Sequence, residues 1–336
     1  MTTSPSRPTT LTVRNPEDML AIAPVLLGFW PEDSIVMMTF GADRPFHARI
    51  DLPPLEVQTL AVQRELDELL LGPARRHYAQ HVVLLYFTTD RAAALAAHRA
   101  LRRGCRRAGI TVVAALAADG ERHADLEGPG RHAPGTPYDV SAHPFVVEAL
   151  VSGRLTHRSR AELVASLDSD PQAVAGVEEA LASSGLADED APTDGRSIRR
   201  EGRWVERRVA ELVAAGAEPS DDEAARLLWV LQASRVRDAA WSLISRRDAD
   251  RHVRFWSALV RRTPDALVPA PATLLGWAAW QAGDGAKAWV ALDRCEQVEP
   301  DYALAVYLGS LLQQAVPPEF WEGGFDWALG LGSVHG

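Results

Sequence analysis

The stretch that decides the fold reads Ala23-Pro-Val-Leu-Leu-Gly-Phe-Trp-Pro-Glu-Asp-Ser-Ile-Val-Met-Met-Thr-Phe40. It predicts a helix that ends at Gly28, because glycine suits the left-handed position that closes many helices. Pro31 cannot continue a helix, so a turn follows. Ser34–Phe40 then has the length and apolar character of a buried strand. We interpret this unit as the start of an α/β domain, and its polar residues as a solvated turn without chemistry of their own.

Chain length and composition indicate two domains. The chain has 336 residues, of which 47% are hydrophobic and 24% are charged. Because a single core stops growing at roughly 250 residues, a chain of this length is expected to form two cores. The formal net charge of −10 argues against a surface built to bind nucleic-acid phosphates. No apolar run approaches the roughly 18 residues of a membrane span, so we expect neither a nucleic-acid nor a membrane partner.

The two cysteines, Cys105 and Cys295, are predicted to lie on helices of different domains. They therefore supply neither a disulfide framework nor a cysteine-based zinc site. Residues 1–12 are rich in Ser, Thr and Pro and lack the apolar segment of a secretion signal. We predict a disordered tail there and a cytoplasmic protein, since a reducing compartment suits free thiols.

A mixed-sheet α/β domain is predicted for residues 13–182, because strand patterns and helical patterns alternate along it. His81–Phe87 is almost continuously apolar, which is typical of a central strand covered on both faces. The helix that begins at Leu55 is expected to stop at Gly72-Pro73. The predicted strands are Ile35–Phe40, Phe46–Leu52, His81–Phe87, Ile110–Leu116 and a return strand within Glu121–Leu126. The predicted helices are Met19–Leu27, Leu55–Leu71, a segment from Asp90 to Ala108, Ala142–Val151, Ser159–Leu167 and Pro171–Ser183.

An all-α domain is predicted for residues 197–336, after an acidic linker. Residues 183–196 are small, acidic and rich in chain-breaking residues, which is typical of a linker. No strand pattern follows, and nine of the ten tryptophans lie beyond residue 200. An internal offset of 36 residues predicts stacked helix-turn-helix units. It pairs Trp241 with Trp277, Asp248 with Asp284, Pro264 with Pro300 and Asp265 with Asp301.

The second of these units resembles a tetratricopeptide repeat. It has Leu275-Gly276 in its first helix, Gly283 at the turn and Pro300 beyond its second helix. The bulky aromatics usual around the Leu-Gly pair are replaced by Ala272 and Ala279. The resemblance implies a helical domain that binds a protein or peptide.

Trp277 and Trp280 are the candidate partner-binding residues. They are three positions apart and share one helix face, which would line the groove of a tetratricopeptide-like array. The alternative is that both are structural. With only about two recognisable units, flanking helices must cover the apolar surface, so we predict that Trp280 is largely buried.

Four segments carry a family resemblance: Pro24-Val-Leu-Leu-Gly-Phe-Trp-Pro-Glu-Asp-Ser-Ile-Val, Gly135-Thr-Pro-Tyr-Asp, Val236-Arg-Asp-Ala and Gly276-Trp-Ala-Ala-Trp-Gln-Ala-Gly-Asp-Gly-Ala. Together they resemble a family of actinobacterial proteins catalogued as domain of unknown function 4192. The similarity spans about Leu11 to Trp321 and implies a fold and a host but no activity. Many members carry a Cys-Cys-Pro element where this chain has Arg131-His132-Ala133-Pro134, so a thiol or metal role of that element is not essential here.

Asp90 is the first candidate catalytic residue. It follows the most apolar strand and opens a helix, where open α/β sheets place ligand-contacting groups. The alternative is that Thr89 or Asp90 only caps the helix, and we favour it because that preference is general. No glycine-rich phosphate loop follows a predicted strand, and no Gly-x-Ser-x-Gly motif marks a nucleophile. We therefore predict no cofactor.

Tyr138, Asp139 and His143 are the other candidate catalytic residues. With three further side chains in or near the loop Gly128–Pro137, they form a set of polar groups that includes the ligand types preferred by zinc and iron. Their spacing matches no known ligand pattern, so we predict no metal site. The alternative interpretation makes Asp139 or Ser141 the cap of the next helix. The three further side chains are His123, Asp125 and His132.

An arginine-rich face is predicted on the helix that ends at Ala108. Such a face could bind phosphates or an acidic partner. We favour a solvated face near a helix C-terminus, where the helix dipole stabilises cations. The chain also has one lysine among 35 basic residues, which indicates a general preference for arginine. The face consists of Arg99, Arg102, Arg103, Arg106 and Arg107.

Three functions follow from these observations, of which the third, nucleic-acid binding through the arginine-rich face, is disfavoured by the net charge. The first is a non-catalytic cytosolic module whose repeat-like helical domain binds a protein or peptide. The second is an enzyme that acts on a small molecule in a pocket at the carboxyl ends of the strands, with Asp90, Tyr138, Asp139 or His143 contributing. A pocket that gathers the loop 127–143 against Asp90 would favour the enzyme.

Overall fold

The computed structural model describes residues 13–128, 134–186, 191–321 and 324–331. The chain divides into two compact units, Met1–Glu162 and Leu163–Gly336. The predicted tail 1–12, and residues 187–190 of the predicted linker, lie outside the described residues.

The first unit contains six strands and five α-helices within its described residues, and a 3-10 helix at Leu55–Val57. The strands are β1 (Ser34–Phe40), β2 (His47–Asp51), β3 (His81–Phe87), β4 (Thr111–Ala118), β5 (Arg122–Asp125) and β6 (Thr136–Pro137). The helices are α1 (Pro16–Leu27), α2 (Leu60–Arg76), α3 (Arg91–Ala108), α4 (Pro144–Val151) and α5 (Arg160–Ala165), which reaches past the end of the unit.

The strands form one mixed sheet in the order β2-β1-β3-β4-β5-β6. β1 is antiparallel to both β2 and β3, with Ile35 opposite Ile50 and Tyr86. β3 and β4 are parallel, and α3 connects them. β5 and β6 continue the sheet in antiparallel pairings. The mixed-sheet α/β fold and the inner position of His81–Phe87 are therefore confirmed.

Local sequence explains α1 and β1. Oδ1 of Asn15 accepts a hydrogen bond from the backbone N–H of Asp18 at 2.8 Å, which caps α1. Gly28 ends the helix with a φ of +75°, a conformation that glycine adopts at little cost. Six of the seven residues of β1 are buried. The predicted helix, turn and strand are confirmed.

The core of the first unit joins the sheet to α2 and α3. Leu84 and Tyr86 of β3 are fully buried in one cluster with Leu70 of α2 and Leu101 of α3. The predicted end of α2 at Gly72-Pro73 is wrong, because the helix continues to Arg76. A proline this close to the end of a helix removes only one interior hydrogen bond, so its cost is limited.

The second unit is helical throughout its described residues, apart from turns and connections. Its α-helices are α6 (Pro171–Ser184), α7 (Gly195–Ala215), α8 (Asp221–Val230), α9 (Ser234–Trp241), α10 (Ala249–Arg261), α11 (Pro269–Gln281), α12 (Gly285–Glu296) and α13 (Ala303–Gln313). The sequence predicts α6 in the first domain, whereas it packs against α8 within the second unit.

Along the chain, the helices pair as α9 with α10 and α11 with α12, and the second helix of each pair keeps the 36-residue offset. α10 begins at Ala249, and α12 begins at Gly285, 36 residues later. α11 packs against both of these helices, and every one of its residues is buried. A Cβ atom on Gly276 of α11 would lie 3.2 Å from Leu308 Cδ2 and 3.4 Å from the Ala288 carbonyl oxygen. The glycine therefore permits close helix packing.

Both cysteines lie on helices, Cys105 on α3 and Cys295 on α12, and both are buried free thiols. Burial raises the pKa of the Cys105 thiol to about 12. Such a thiol is a weak nucleophile at neutral pH, so its role is packing.

In the described part of the chain, no helix has both the length and the apolar composition required to cross a membrane.

Candidate functional site

Asp90 lies at the carboxyl end of β3 and caps α3. Its Oδ1 accepts a hydrogen bond from the backbone N–H of Ala93 at 2.9 Å. Its own backbone N–H donates to Oγ1 of Thr88 at 3.0 Å, and the Thr88 hydroxyl donates to Oδ1 of Asp33 at 2.9 Å. The capping role predicted for Asp90 is confirmed.

Asp33, which directly precedes β1, lies beside the carboxyl end of β3 and was not a candidate from the sequence. Its φ of +36° lies in the left-handed region, which aspartate adopts more readily than most residues. Its backbone carbonyl also accepts from the N–H of Leu52 at 2.8 Å. Asp33 therefore ties the start of β1 to the ends of β2 and β3.

A small pocket opens at the carboxyl ends of β3 and β4, and we call it the strand-end pocket. Its volume is about 30 Å³, enough for one water-sized group. It is lined by Thr88, Thr89, Arg91, Ala117, Ala118, Asp119, Arg122, His123, Ala124, Pro134 and Gly135. The predicted loop therefore reaches the strand ends, but Asp90, Tyr138, Asp139 and His143 are not among the lining residues.

Arg122 and Gly135 position the loop beside the pocket. Nε of Arg122 donates to the Pro134 carbonyl at 2.9 Å, and its Nη2 donates to the Gly135 carbonyl at 2.8 Å. Gly135 has a φ of +77°, and a Cβ atom there would lie 2.8 Å from the carbonyl oxygen of His123. Only glycine fits this approach to β5 without a shift of the backbone.

Tyr138 and Asp139 follow β6 and belong to local structure. The ring of Tyr138 meets the ring of His123 edge to face, with 5.8 Å between their centroids. Burial raises the pKa of Tyr138. Oδ1 of Asp139 accepts from the backbone N–H of Ser141 at 2.8 Å, and this contact lowers the pKa of Asp139.

His143 is the cap of α4, so the predicted cap at Asp139 or Ser141 is wrong. Pro144 takes the first helical position, which leaves the cap to the residue before it. Nδ1 of His143 accepts from the backbone N–H of Phe145 at 3.3 Å. Its Nε2 lies 3.0 Å from Oδ1 of Asp18, which joins α4 to α1.

A buried polar chain runs from β3 through α3, and the sequence did not predict it. The Tyr86 hydroxyl lies 3.3 Å from Nδ1 of His98, and Nε2 of His98 lies 3.0 Å from Oε1 of Glu127. Oε2 of Glu127 pairs with Arg102 at 3.1 Å. Burial lowers the pKa of His98 and raises that of Tyr86 well above its ordinary value. If His98 is neutral, its Nε2 donates a hydrogen bond to Glu127 and its Nδ1 accepts one from the Tyr86 hydroxyl, so both ring nitrogens have a partner.

The predicted arginine face of α3 is exposed, and nearby polar groups engage part of it. Arg107 pairs with Asp67 at 2.7 Å, and Nη2 of Arg103 donates to Gln63 at 3.2 Å. These contacts favour the predicted solvated face over a phosphate site.

Trp277 and Trp280 lie in the core of the second unit, with 0% and 4% of their surfaces exposed. Nε1 of Trp280 donates to the carbonyl of Val316 at 3.0 Å. The burial predicted for Trp280 is confirmed. Neither side chain presents the surface that a partner would need in this conformation.

The aromatic cluster around Trp277 reaches the surface at Trp321. The ring of Trp321 stacks on that of Trp241, with centroids 5.1 Å apart and 13° between the planes. Trp321 is half-buried and lines an open depression of about 570 Å³, which we call the tryptophan pocket. Its other lining residues are Ser245, Arg246, Arg247 and Glu319.

The tryptophan pocket carries balanced charge. Arg246 pairs with Glu319, and Arg247 pairs with Asp248 at 3.1 Å. All four of these residues border the turn between α9 and α10 or the segment after α13. The aromatic ring of Trp321 is therefore framed by two ion pairs.

Among the described residues, no three His, Cys, Asp or Glu side chains are grouped so as to hold a metal ion. His132, one of the histidines considered as a ligand, lies outside the described residues.

Comparison with known proteins identifies one family. The chain matches none of the curated proteins and none of the solved structures with which it was compared. The model of one family matches residues 16–319, which span both units. The chain therefore belongs to the family described as Domain of unknown function (DUF4192).

Proposed function

We propose that this protein is a non-catalytic binding module whose helical unit holds a segment of a protein or peptide in the tryptophan pocket. The observation that supports this proposal is a half-buried Trp321 in an open depression of about 570 Å³, flanked by Arg246 and Arg247. Pockets of roughly 300–1,000 Å³ accommodate small ligands or single large side chains. Trp and Arg are also the residues that contribute most to binding energy at protein interfaces.

The occupant that we propose is an extended segment with one aromatic or aliphatic side chain beside an acidic or amide group. The apolar side chain would pack on the ring of Trp321, and the polar group would bind a guanidinium of Arg246 or Arg247. Because Glu319 and Asp248 already balance these arginines, a purely electrostatic partner has less support.

The 36-residue offset of α10 and α12 supports a tetratricopeptide-like arrangement, whose members bind peptides. The family resemblance supports an actinobacterial host, and the two buried free thiols support a cytoplasmic location. A small-molecule enzyme at the strand ends has less support, because none of the four candidate catalytic residues lines that pocket.

Selection from a random peptide library on the immobilised full chain tests the proposal. Selected peptides should bind the parent saturably and change its tryptophan fluorescence, to which Trp321 contributes. Arg246→Glu should weaken them about tenfold or more, since a charge-assisted hydrogen bond contributes about 1.5–3 kcal/mol. The matched control is Arg203→Glu, at an exposed arginine of α7 outside the pocket. Peptides that bind Arg246→Glu as tightly as the parent, or a library that yields none, would contradict the proposal.

A further inference from the structure

The strand-end pocket combines several cationic or proton-donating groups, which come from two separate segments of the chain. Arg91 begins α3, and Arg122 and His123 lie on β5. Thr89 adds a hydroxyl group from the end of β3, whereas the hydroxyl of Thr88 already donates to Asp33. In a chain with a net charge of −10, two guanidinium groups beside one cavity, against the single carboxylate of Asp119, leave a local excess of positive charge.

The one carboxylate among the described lining residues, that of Asp119, is already occupied. Oδ1 of Asp119 accepts from the backbone N–H groups of Arg122 at 2.7 Å and Glu121 at 3.0 Å. Burial acts to raise the pKa of Asp119, but these two donors outweigh it and lower the pKa. Asp119 therefore stays ionised and serves the β4–β5 turn.

One buried atom of the lining points to a missing hydrogen-bond partner. Nδ1 of His123 is buried and has no hydrogen-bond partner among the described residues. Arg122 uses Nε and Nη2 to hold the loop, and no described contact uses its Nη1. A buried polar atom without a partner costs about 1–3 kcal/mol, so an unfilled position of this kind calls for a bound group.

From this geometry we propose that the strand-end pocket binds the oxyanion group, carboxylate or phosphate, of a small molecule. The volume of about 30 Å³ admits only an oxygen atom or two of a terminal group, so the rest of the molecule extends into solvent. Guanidinium and hydroxyl groups are the usual partners of such oxyanions. The carboxyl ends of parallel strands are also where open α/β sheets bind ligands. This site is independent of the tryptophan pocket.

Titration of the full chain with inorganic phosphate and with acetate, at constant ionic strength set by NaCl, tests the site. The readouts are the melting temperature and the NMR resonances of the His123 ring. We expect a saturable rise in melting temperature and a saturable shift of those resonances with at least one anion. Stronger binding of phosphate assigns a phosphorylated ligand, and stronger binding of acetate assigns a carboxylic acid.

Arg91→Gln and Arg122→Gln should each weaken the anion about tenfold or more, in line with the loss of a charge-assisted hydrogen bond. The matched control, Arg99→Gln, removes an exposed arginine of α3 that does not line the pocket and should leave binding unchanged. Because Arg122 also holds the loop, Arg91→Gln keeps the test valid if Arg122→Gln unfolds. The proposal is overturned by changes no larger than those of NaCl alone, which indicate a pocket that holds only water. Equal weakening in Arg99→Gln also overturns it.

Discussion

Trp241 and Trp277, which the 36-residue offset pairs, touch each other edge to face with ring centroids 4.8 Å apart. Trp241 is the last residue of α9, and Trp277 lies within the fully buried α11. The contact therefore joins equivalent positions of two successive helix pairs. Such aromatic pairs contribute about 0.5–1.5 kcal/mol beyond the burial of their surfaces. The two tryptophans that the repeat pairs therefore help to hold the successive helix pairs of the second unit together.

Trp280→Ala should lower the free energy of unfolding by about 3–5 kcal/mol. Trp280 is only 4% exposed, so its removal leaves a cavity, and the Val316 carbonyl loses the hydrogen bond that Nε1 of Trp280 donates to it. Urea unfolding followed by circular dichroism measures the change. The control is Val306→Ala on α13, where the side chain is 56% exposed and little should change. A Trp280→Ala protein that unfolds like the parent would show that burial does not stabilise this unit.

Asp90→Ala should destabilise the chain by about 1 kcal/mol, because the backbone N–H of Ala93 loses its acceptor. Asp90→Ser should remain close to the parent, since a serine hydroxyl also caps helices. Thermal unfolding of the two variants in parallel separates these outcomes. Equal losses in both variants would show that the carboxylate charge, and not the cap, is what matters at this position.

Acid should destabilise the second unit through His252. Burial lowers the pKa of His252 from 6.5 to about 4. The unfolded chain therefore binds a proton on His252 more readily than the folded chain does. The free energy of unfolding has its full contribution from neutral His252 above pH 6.5 and decreases as the pH drops towards 4. The expected loss from this group is about 3 kcal/mol.

His252→Gln tests this pH dependence. Glutamine can still donate to the Leu243 carbonyl, which His252 contacts, but it does not titrate. Chemical unfolding across the same pH range should give a flatter stability curve for the variant. Parallel curves for variant and parent would rule His252 out as the source of acid sensitivity.

Brief proteolysis should cut the chain between Ser183 and Arg196, in the predicted linker, because a small acidic segment buries little surface. The helix before this cut, α6, packs against α8 after it, so we expect the two fragments to elute together under native conditions. Mass spectrometry locates the cut, and gel filtration reports the association. A first cut near Glu162, or fragments that separate without denaturant, would contradict this expectation.

Much of the fold could be predicted from local sequence. Asn15, Asp90 and Gly28 mark helix ends because capping depends on residues within one turn of each other. The apolar run of His81–Phe87 predicted an inner strand, since both of its faces require cover. Pro73 misled the prediction of α2, because a helix tolerates the loss of one hydrogen bond near its end when packing supports it.

The candidate sites could be predicted only in part. Asp90 was identified correctly as a strand-end residue, and the loop before Tyr138 does reach the strand ends. The sequence makes His123 a candidate metal ligand, whereas Arg122 belongs to no motif. Its importance comes from the Pro134 and Gly135 carbonyls that it holds, and no spacing rule encodes such contacts.

The sequence by itself determined most of the helices and strands, the caps of α1 and α3 and the 36-residue repeat, because each depends on neighbours along the chain. The tertiary structure alone decided which tryptophans are covered and which one, Trp321, reaches a pocket. It also decided that His143 meets Asp18 across 125 positions of the chain. Burial and pairing at such separations depend on how packed elements meet, and that information is not present in any local pattern.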